Sequence, residues 1–196
     1  MSRLATSFVL GYHGCDRDVA QAVVNGTAEL SPSDKDFDWI GPGTYFWEAD
    51  KHRALEWAQQ HRANFPNPSV IGAVIDLRHC LDLTNRSDLE LVRDAHMSYE
   101  ETQKVSGLPV AENTSVPGKP DEDRLLCYLD CAVIKHLHFI IDNQPISTSR
   151  LESYDTVRGM FTEGDDLYPG AAFKEKTHTQ ISVINSDCIK GFFLPR

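Results

Sequence analysis

Three short segments, far apart in the chain, carry the residue types best suited to chemistry. They are Gly11-Tyr12-His13-Gly14, Gly43-Thr44-Tyr45-Phe46-Trp47-Glu48 and His178-Thr179-Gln180-Ile181-Ser182-Val183. An imidazole titrates near pH 6.5 and can orient or move a proton. A tyrosine face suits a planar cation through dispersion and cation–π attraction of about 1 kcal/mol. Glutamine both donates and accepts hydrogen bonds, but it carries no charge and cannot act as a general base. A glycine beside such groups lets another backbone or a ligand come close. Each segment lies on, or at the edge of, an apolar strand-like run, so together they fit a binding cleft built from separate strands. Singly, each has a plain structural alternative: a strand-end histidine, a core strand aromatic, an exposed strand glutamine.

The elements that must position these groups can be traced from hydrophobic period and turn chemistry. Phe8 to His13 is a strand ending at Gly14, and Asp16 caps a helix from Arg17 to about Asn25. A polar loop over residues 31–38 follows, and Phe37 and Trp39 are its large apolar groups. Gly41-Pro42-Gly43 leads into a strand over 44–47, then a helix from about Asp50 to Asn64 with Ala54, Leu55, Trp57, Ala58 and His61 on one face. Residues 70–77 form a central strand, with Leu81-Asp82-Leu83 as its short extension. Helices are expected over about 87–104 and 124–141, and a strand over 157–162. The segment between the two helices is rich in proline and glycine and is expected to be a flexible loop at about 106–121 within one domain spanning 1–196. Residues 163–170 form a turn-rich loop. Residues 181–184 and 189–194 are expected to pair with each other, turned by Asn185-Ser186-Asp187.

Composition narrows the class. A net charge of −10 gives no global field to attract nucleic acid, although Arg158, Lys174, Lys176 and Lys190 fall in the least acidic part. No apolar run approaches the roughly 20 residues that span a bilayer, and the N-terminal residues lack a secretory apolar region; a cytoplasmic protein without a membrane partner is expected. Five cysteines at irregular spacing do not make a disulfide framework. Cys127 and Cys131 stand one helical turn apart with no second pair to complete a zinc site, so no metal is expected. No Gly-x-Gly-x-x-Gly follows a strand, which argues against a dinucleotide-binding dehydrogenase.

In order and spacing the three segments resemble the His-Tyr-[Glu/Gln] signature of ADP-ribosyltransferases related to poly-ADP-ribose polymerases and diphtheria toxin. The resemblance implies an α+β fold with a split antiparallel β-sheet clamp and flanking helices. It implies that His13 bonds a ribose hydroxyl of NAD and that the Gly14 backbone meets the nicotinamide carboxamide. Gly43 and Tyr45 match the family's Gly-x-Tyr-Phe strand, whose tyrosine stacks on the nicotinamide ring. Trp57 lies about one residue out of register with a second stacking aromatic, and Trp47 is set aside as pointing away from Tyr45. Gln180 aligns with the position where many members carry glutamate, which points away from polymer synthesis and toward transfer of a single unit. His178, two residues earlier, is implied on the acceptor side as a proton acceptor, with Tyr168, Phe173, Lys174 and Lys176 as further acceptor contacts; Asp155 and Arg158 are expected as salt-bridged structural residues, with support of the site as the alternative.

The implied activity is mono-ADP-ribosylation of a macromolecule, protein or nucleic acid, with NAD as substrate. The likeness to bacterial toxins and phage-defence effectors implies an inhibitor or antitoxin partner. The alternatives are an NAD glycohydrolase and a non-catalytic module that binds NAD or ADP-ribose.

Overall fold

A computed structural model describes residues 8–116, 124–145 and 151–196. Among these residues seven strands and four α-helices make an α+β fold. The strands are β1 (Phe8–Asp16), β2 (Thr44–Glu48), β3 (Pro68–Asp76), β4 (Cys80–Asp82), β5 (Thr156–Phe161), β6 (His178–Val183) and β7 (Ile189–Phe193). The helices are α1 (Arg17–Val24), α2 (Lys51–Gln60), α3 (Arg86–Ser106) and α4 (Tyr128–Asp142). The strands form one sheet in the order β4-β5-β6-β2-β1-β3-β7. Every neighbouring pair is antiparallel except β4 and β5, so the sheet is mixed rather than wholly antiparallel.

Pairing is uneven across the sheet. β1 and β3 stay in register over the whole of β1, from Phe8↔Asp76 to Asp16↔Pro68. β1 and β2 meet only at Gly11↔Glu48 and Tyr12↔Trp47. The sheet therefore consists of two wings, β4-β5-β6-β2 and β1-β3-β7, joined at a narrow junction.

The path from β6 to β7 shows how the wings are disposed. Val183 and Ile189 are six residue steps apart, at most about 20 Å when fully extended. A 3₁₀ turn at Ser186–Cys188 shortens that reach. Four strand gaps across a flat sheet would span about 19 Å. The sheet must therefore curl on this face, and Cys188 is buried in a cluster with Phe46, Ile75 and Ile181. The expected pairing of 181–184 with 189–194 does not form. β6 lies between β2 and β5, while β7 adds to β3 at the far edge. Likewise, β4 does not extend β3 but crosses to pair with β5 at the opposite edge.

Local signals set the helix ends. Asp16 accepts the Asp18 N–H at the start of α1, and Asp50 accepts those of His52 and Arg53 at the start of α2. α3 is capped by Asn85 and ends at Gly107 in the left-handed region (φ 66°), running slightly past both expected ends. The segment after it is tied down where it is described. The Ala111 N–H donates to the Tyr99 hydroxyl, Thr114 and Leu126 exchange backbone bonds, and the Asn113 side chain accepts from Leu129 N. Residues 117–121 of the expected flexible loop lie outside the described residues. Because 124–127 is taken up in this bridge, α4 starts later than expected.

α3 and α4 pack together and cover one face of the β4-β5-β6-β2 wing. Ile40, Leu81, Val133, Ile134, Leu137, Ile141 and Val157 are buried there, each contributing roughly 1.5–3 kcal/mol of apolar burial. α2 covers β1 and β3 on the same side of the sheet, so the faces of both wings around the junction are roofed by helices.

Candidate functional site

His13 stands where the two wings part. Its Nδ1 lies 2.8 Å from the Tyr45 carbonyl oxygen, and a carbonyl only accepts, so Nδ1 carries the proton. Continuing the β1–β2 register beyond Tyr12↔Trp47 would set Gly14 opposite Tyr45. The imidazole meets the Tyr45 carbonyl instead. The Leu10 carbonyl accepts from Ala49 N, on the β2 side of β1. Backbone groups two residues apart along a strand point the same way, so Gly14 also turns its N–H and C=O toward β2, beyond the last paired rung. The result is a gap edged by the Gly14 backbone and by β2 at Tyr45. Burial holds the His13 pKa below its ordinary value and the bond to Tyr45 only partly offsets this, so the ring is neutral at pH 7 with Nε2 as its remaining polar atom.

Tyr45 is half-buried, and its ring packs against the α3–α4 core. Its hydroxyl donates to the Gly41 carbonyl at 2.7 Å, and burial raises its pKa. Gln180 is half-buried on the neighbouring strand, opposite Trp47 and diagonal to Tyr45. Tyr45, Trp47, His178, Gln180 and Ser182 share one face of the sheet by strand alternation. His13 belongs by alternation to the Phe46 face, 5.8 Å from that ring, and reaches this group through its edge contact with the Tyr45 carbonyl. β1, β2 and β6 are consecutive strands, so three segments distant in sequence become adjacent.

Both expected glycines have structural explanations. A Cβ on Gly14 would lie 2.2 Å from the Ala54 carbonyl oxygen of α2. Gly43 has φ 148°, and a Cβ there would lie 2.3 Å from Ser182 Oγ. Helix and strand packing alone demand glycine at both positions, while the Gly14 backbone still faces the gap.

Two expectations are corrected. Trp47 does not point away from Tyr45, because residues two apart on a strand share a face. What removes it from contention is burial: it is 4% exposed, packed on Trp57 at 5.8 Å. His178 is not an accessible proton acceptor. It is 7% exposed, its Nδ1–H donates to the Lys176 carbonyl at 2.6 Å, and its ring lies between those of Trp47 and Phe161. Burial is the main cause holding its pKa down, and the Arg53 guanidinium adds to this against Glu163 and Asp50. Trp57 is half-buried, its ring 4.3 Å from that of His61 and tilted to it, and 5.6 Å from Phe65, as the anchor of α2.

The segment between β5 and β6 is less loop-like than its composition suggests. It prolongs the β5–β6 hairpin through Lys176 N to Glu163 O, Glu175 N to Asp165 O and Leu167 N to Phe173 O. Tyr168 and Phe173 are exposed at its tip. Lys174 pairs with Asp166 at 2.8 Å, and Lys176 lies 3.9 Å from Glu163. Arg53 of α2 binds Glu163 at 2.7 Å, with both side chains largely buried, which fastens the hairpin to α2. Arg158 and Asp155 are structural supports, Arg158 bonded to Glu48 and Asp82, and Asp155 to Asn185 and His79.

Sequence reasoning passed over two residues. Arg53 carries no local mark that separates it from an exposed helix cation. Trp39 was noted only as a large apolar group in a polar loop, yet its Nε1–H donates to Gln180 Oε1 at 2.6 Å. A tryptophan directly before Ile-Gly-Pro-Gly, in an otherwise hydrophilic stretch, was the available signal.

No protein-family model, curated protein or solved structure significantly matches this chain. Among the described residues, no group of histidine, cysteine, aspartate or glutamate could hold a metal ion, and no helix is long and apolar enough to cross a membrane.

Proposed function

We propose that this chain is a mono-ADP-ribosyltransferase that binds the nicotinamide end of NAD in the gap between β1 and β2. The observation that carries this reading is the early end of the β1–β2 ladder, with the His13 imidazole on the Tyr45 carbonyl and the Gly14 backbone turned into the gap. It supplies a split between strands with an amide donor and acceptor at its edge, suited to a planar carboxamide, and an aromatic ring on the next strand. Here His13 orients the ribose, Gly14 holds the carboxamide, Tyr45 stacks on the pyridinium, and Gln180 bonds a ribose hydroxyl. In the reaction the bond from ribose C1′ to the pyridinium nitrogen breaks. Its electron pair leaves with nicotinamide, which becomes neutral. The acceptor nucleophile then bonds to C1′ and gives up its proton to solvent. Gln180 adds no charge to stabilise the oxocarbenium-like centre, so it serves by orienting the hydroxyl.

The β5–β6 hairpin is the acceptor-side surface in this reading. Its two lysines sit beside carboxylates and its tip is aromatic, which suits a protein acceptor better than a phosphate backbone. An NAD- or ADP-ribose-binding module is the second reading, favoured by the uncharged Gln180 whose carbonyl oxygen is already engaged. Hydrolysis of NAD is the third product outcome. Incubation with NAD labelled in the adenylate, followed by separation of protein, DNA, RNA and small molecules from a lysate, tests all of these. Label on protein is the expected result. Label on nucleic acid would retire the acceptor assignment. Free ADP-ribose alone would make the chain a hydrolase, and saturable binding without nicotinamide release would make it a binding module.

A further inference from the structure

We infer that Trp39 is a positioning residue: its indole N–H fixes the Gln180 side-chain amide so that position 180 offers its NH2 group, rather than its carbonyl oxygen, to a bound ligand. The indole nitrogen only donates, so the amide atom 2.6 Å away must be the oxygen. The amide orientation is thereby set by chemistry and not by shape, since the two ends of a glutamine amide are nearly isosteric.

Trp39 is itself held tightly. Its ring lies 5.0 Å from that of Phe161 and packs against the α3–α4 core. It also lies over Gly159, the residue paired with Gln180 across β5 and β6, where a Cβ would stand 2.6 Å from the ring. The same short loop holds the other ligand-facing residue. The Gly41 carbonyl accepts the Tyr45 hydroxyl at 2.7 Å, and the Pro42 carbonyl accepts the Ser182 hydroxyl at 2.9 Å. Residues 39–42 thus fasten Gln180, Tyr45 and Ser182 from one side.

The chemical consequence concerns the ligand oxygen. With Oε1 turned to the Trp39 N–H, Gln180 presents its two N–H donors to the ligand side, and one of them can donate to a lone pair of a hydroxyl oxygen. That hydroxyl keeps its own proton for another acceptor. A glutamate at this position could take the Trp39 N–H with one oxygen, but it would offer the ligand only an acceptor.

The consequence for a ribose hydroxyl rests on the transferase reading, whereas the Trp39–Gln180 bond does not, so two measurements separate them. The first needs no NAD. In ¹⁵N-labelled protein with the three indole signals assigned by triple resonance, Gln180→Ala should shift the Trp39 indole N–H and speed its exchange with solvent, leaving Trp57 unmoved, while Trp47, opposite Gln180 on β2, shifts without faster exchange. An unchanged Trp39 signal would overturn the inference. The second is a mutant cycle on nicotinamide release. Trp39→Phe keeps a ring and removes the N–H; it should lower kcat about tenfold with little change in KM, as for one lost hydrogen bond. On a Gln180→Ala background it should cost nothing further. An undiminished loss on that background would show that Trp39 acts other than through Gln180, and would likewise overturn the inference. A retained Trp57 signal reports that each variant is folded. A responsive indole in a protein with no NAD turnover would retire the transferase reading and leave the positioning bond established.

Discussion

Tyr45 carries two separable functions. In the proposed reading its ring face stacks on nicotinamide, while its hydroxyl is spent on the Gly41 carbonyl. Tyr45→Ala should weaken NAD binding by about 1–2 kcal/mol in calorimetric titration, through the lost aromatic contact. Tyr45→Phe should bind NAD nearly as wild type but unfold about 0.5–1.5 kcal/mol more easily in urea, through the lost hydrogen bond. Equal loss of binding in both would mean that the hydroxyl, not the face, meets the ligand. At Gln180, alanine should leave NAD binding mostly intact and slow nicotinamide release by about 10²–10³-fold, the scale of one lost preorganised partner. Glutamate there should keep or raise cleavage and divert product toward hydrolysis, because a carboxylate favours the developing cation. Wild-type turnover in Gln180→Ala would place the essential group elsewhere.

At the scale of elements, the gap depends on α2 being seated directly on β1. Gly14 is the contact point, with the Ala54 carbonyl where a side chain would be. The backbone carbonyl cannot swing aside as a side chain could. Gly14→Ala should therefore force α2 off the strand and cost at least about 1–3 kcal/mol in thermal unfolding. Wild-type stability in that variant would show that α2 has room to move. The Arg53–Glu163 pair is the second element-level contact, since it joins α2 to the β5–β6 hairpin. Breaking it by Glu163→Ala leaves the largely buried Arg53 guanidinium with Glu56 as its carboxylate partner, unties the hairpin from α2, and should raise backbone exchange across residues 163–177 more than in β1 or β3. Uniform exchange over the whole chain would show instead a global loss of stability.

Over the whole molecule, buried imidazoles couple folding to pH. His13, His138 and His178 all have pKa values pushed below the ordinary 6.5, with burial the first cause in each. The sign follows from proton counting. Between the lowered folded values and 6.5 the unfolded chain binds more protons than the native one, so unfolding is favoured as pH falls through that window. Stability is fully present above about pH 7. Around His178 the opposing groups are Arg53 on one side and Glu163 and Asp50 on the other, and burial outweighs both carboxylates. The Tm should be level from pH 8 to 7 and drop from 6.5 to 5.5, with a shallower drop in His178→Gln. A Tm that rises on acidification would mean that these histidines are charged in the fold. Asp16, whose carboxyl is held low by the Asn67 and Asp18 backbone N–H groups, adds its own loss only at lower pH.

The sequence by itself determined where helices and strands lie and which residues could serve a site. Helix caps such as Asp16, Asp50 and Gly107 act within a turn or two of their own position, and an apolar run like 70–77 is buried whichever strand it joins. Local chemistry of this kind can be read from local spacing. Strand partnership could not be read that way. The runs at 181–184 and 189–194, with a turn between them, have every local mark of a hairpin, yet they lie on different wings because burying Cys188 beside Phe46 and Ile75 draws the chain across the curled sheet. Tertiary packing also decided the fate of individual candidates. His178 and Trp47 were lost to burial under α2 and the hairpin, whereas the shared face of Trp47 and Tyr45 follows from strand alternation alone. Trp39 met Gln180 across 141 residues of sequence, a contact that no spacing announces. Only the folded chain could show that the β1–β2 ladder stops two rungs in, because that depends on an imidazole from one strand taking the carbonyl of another.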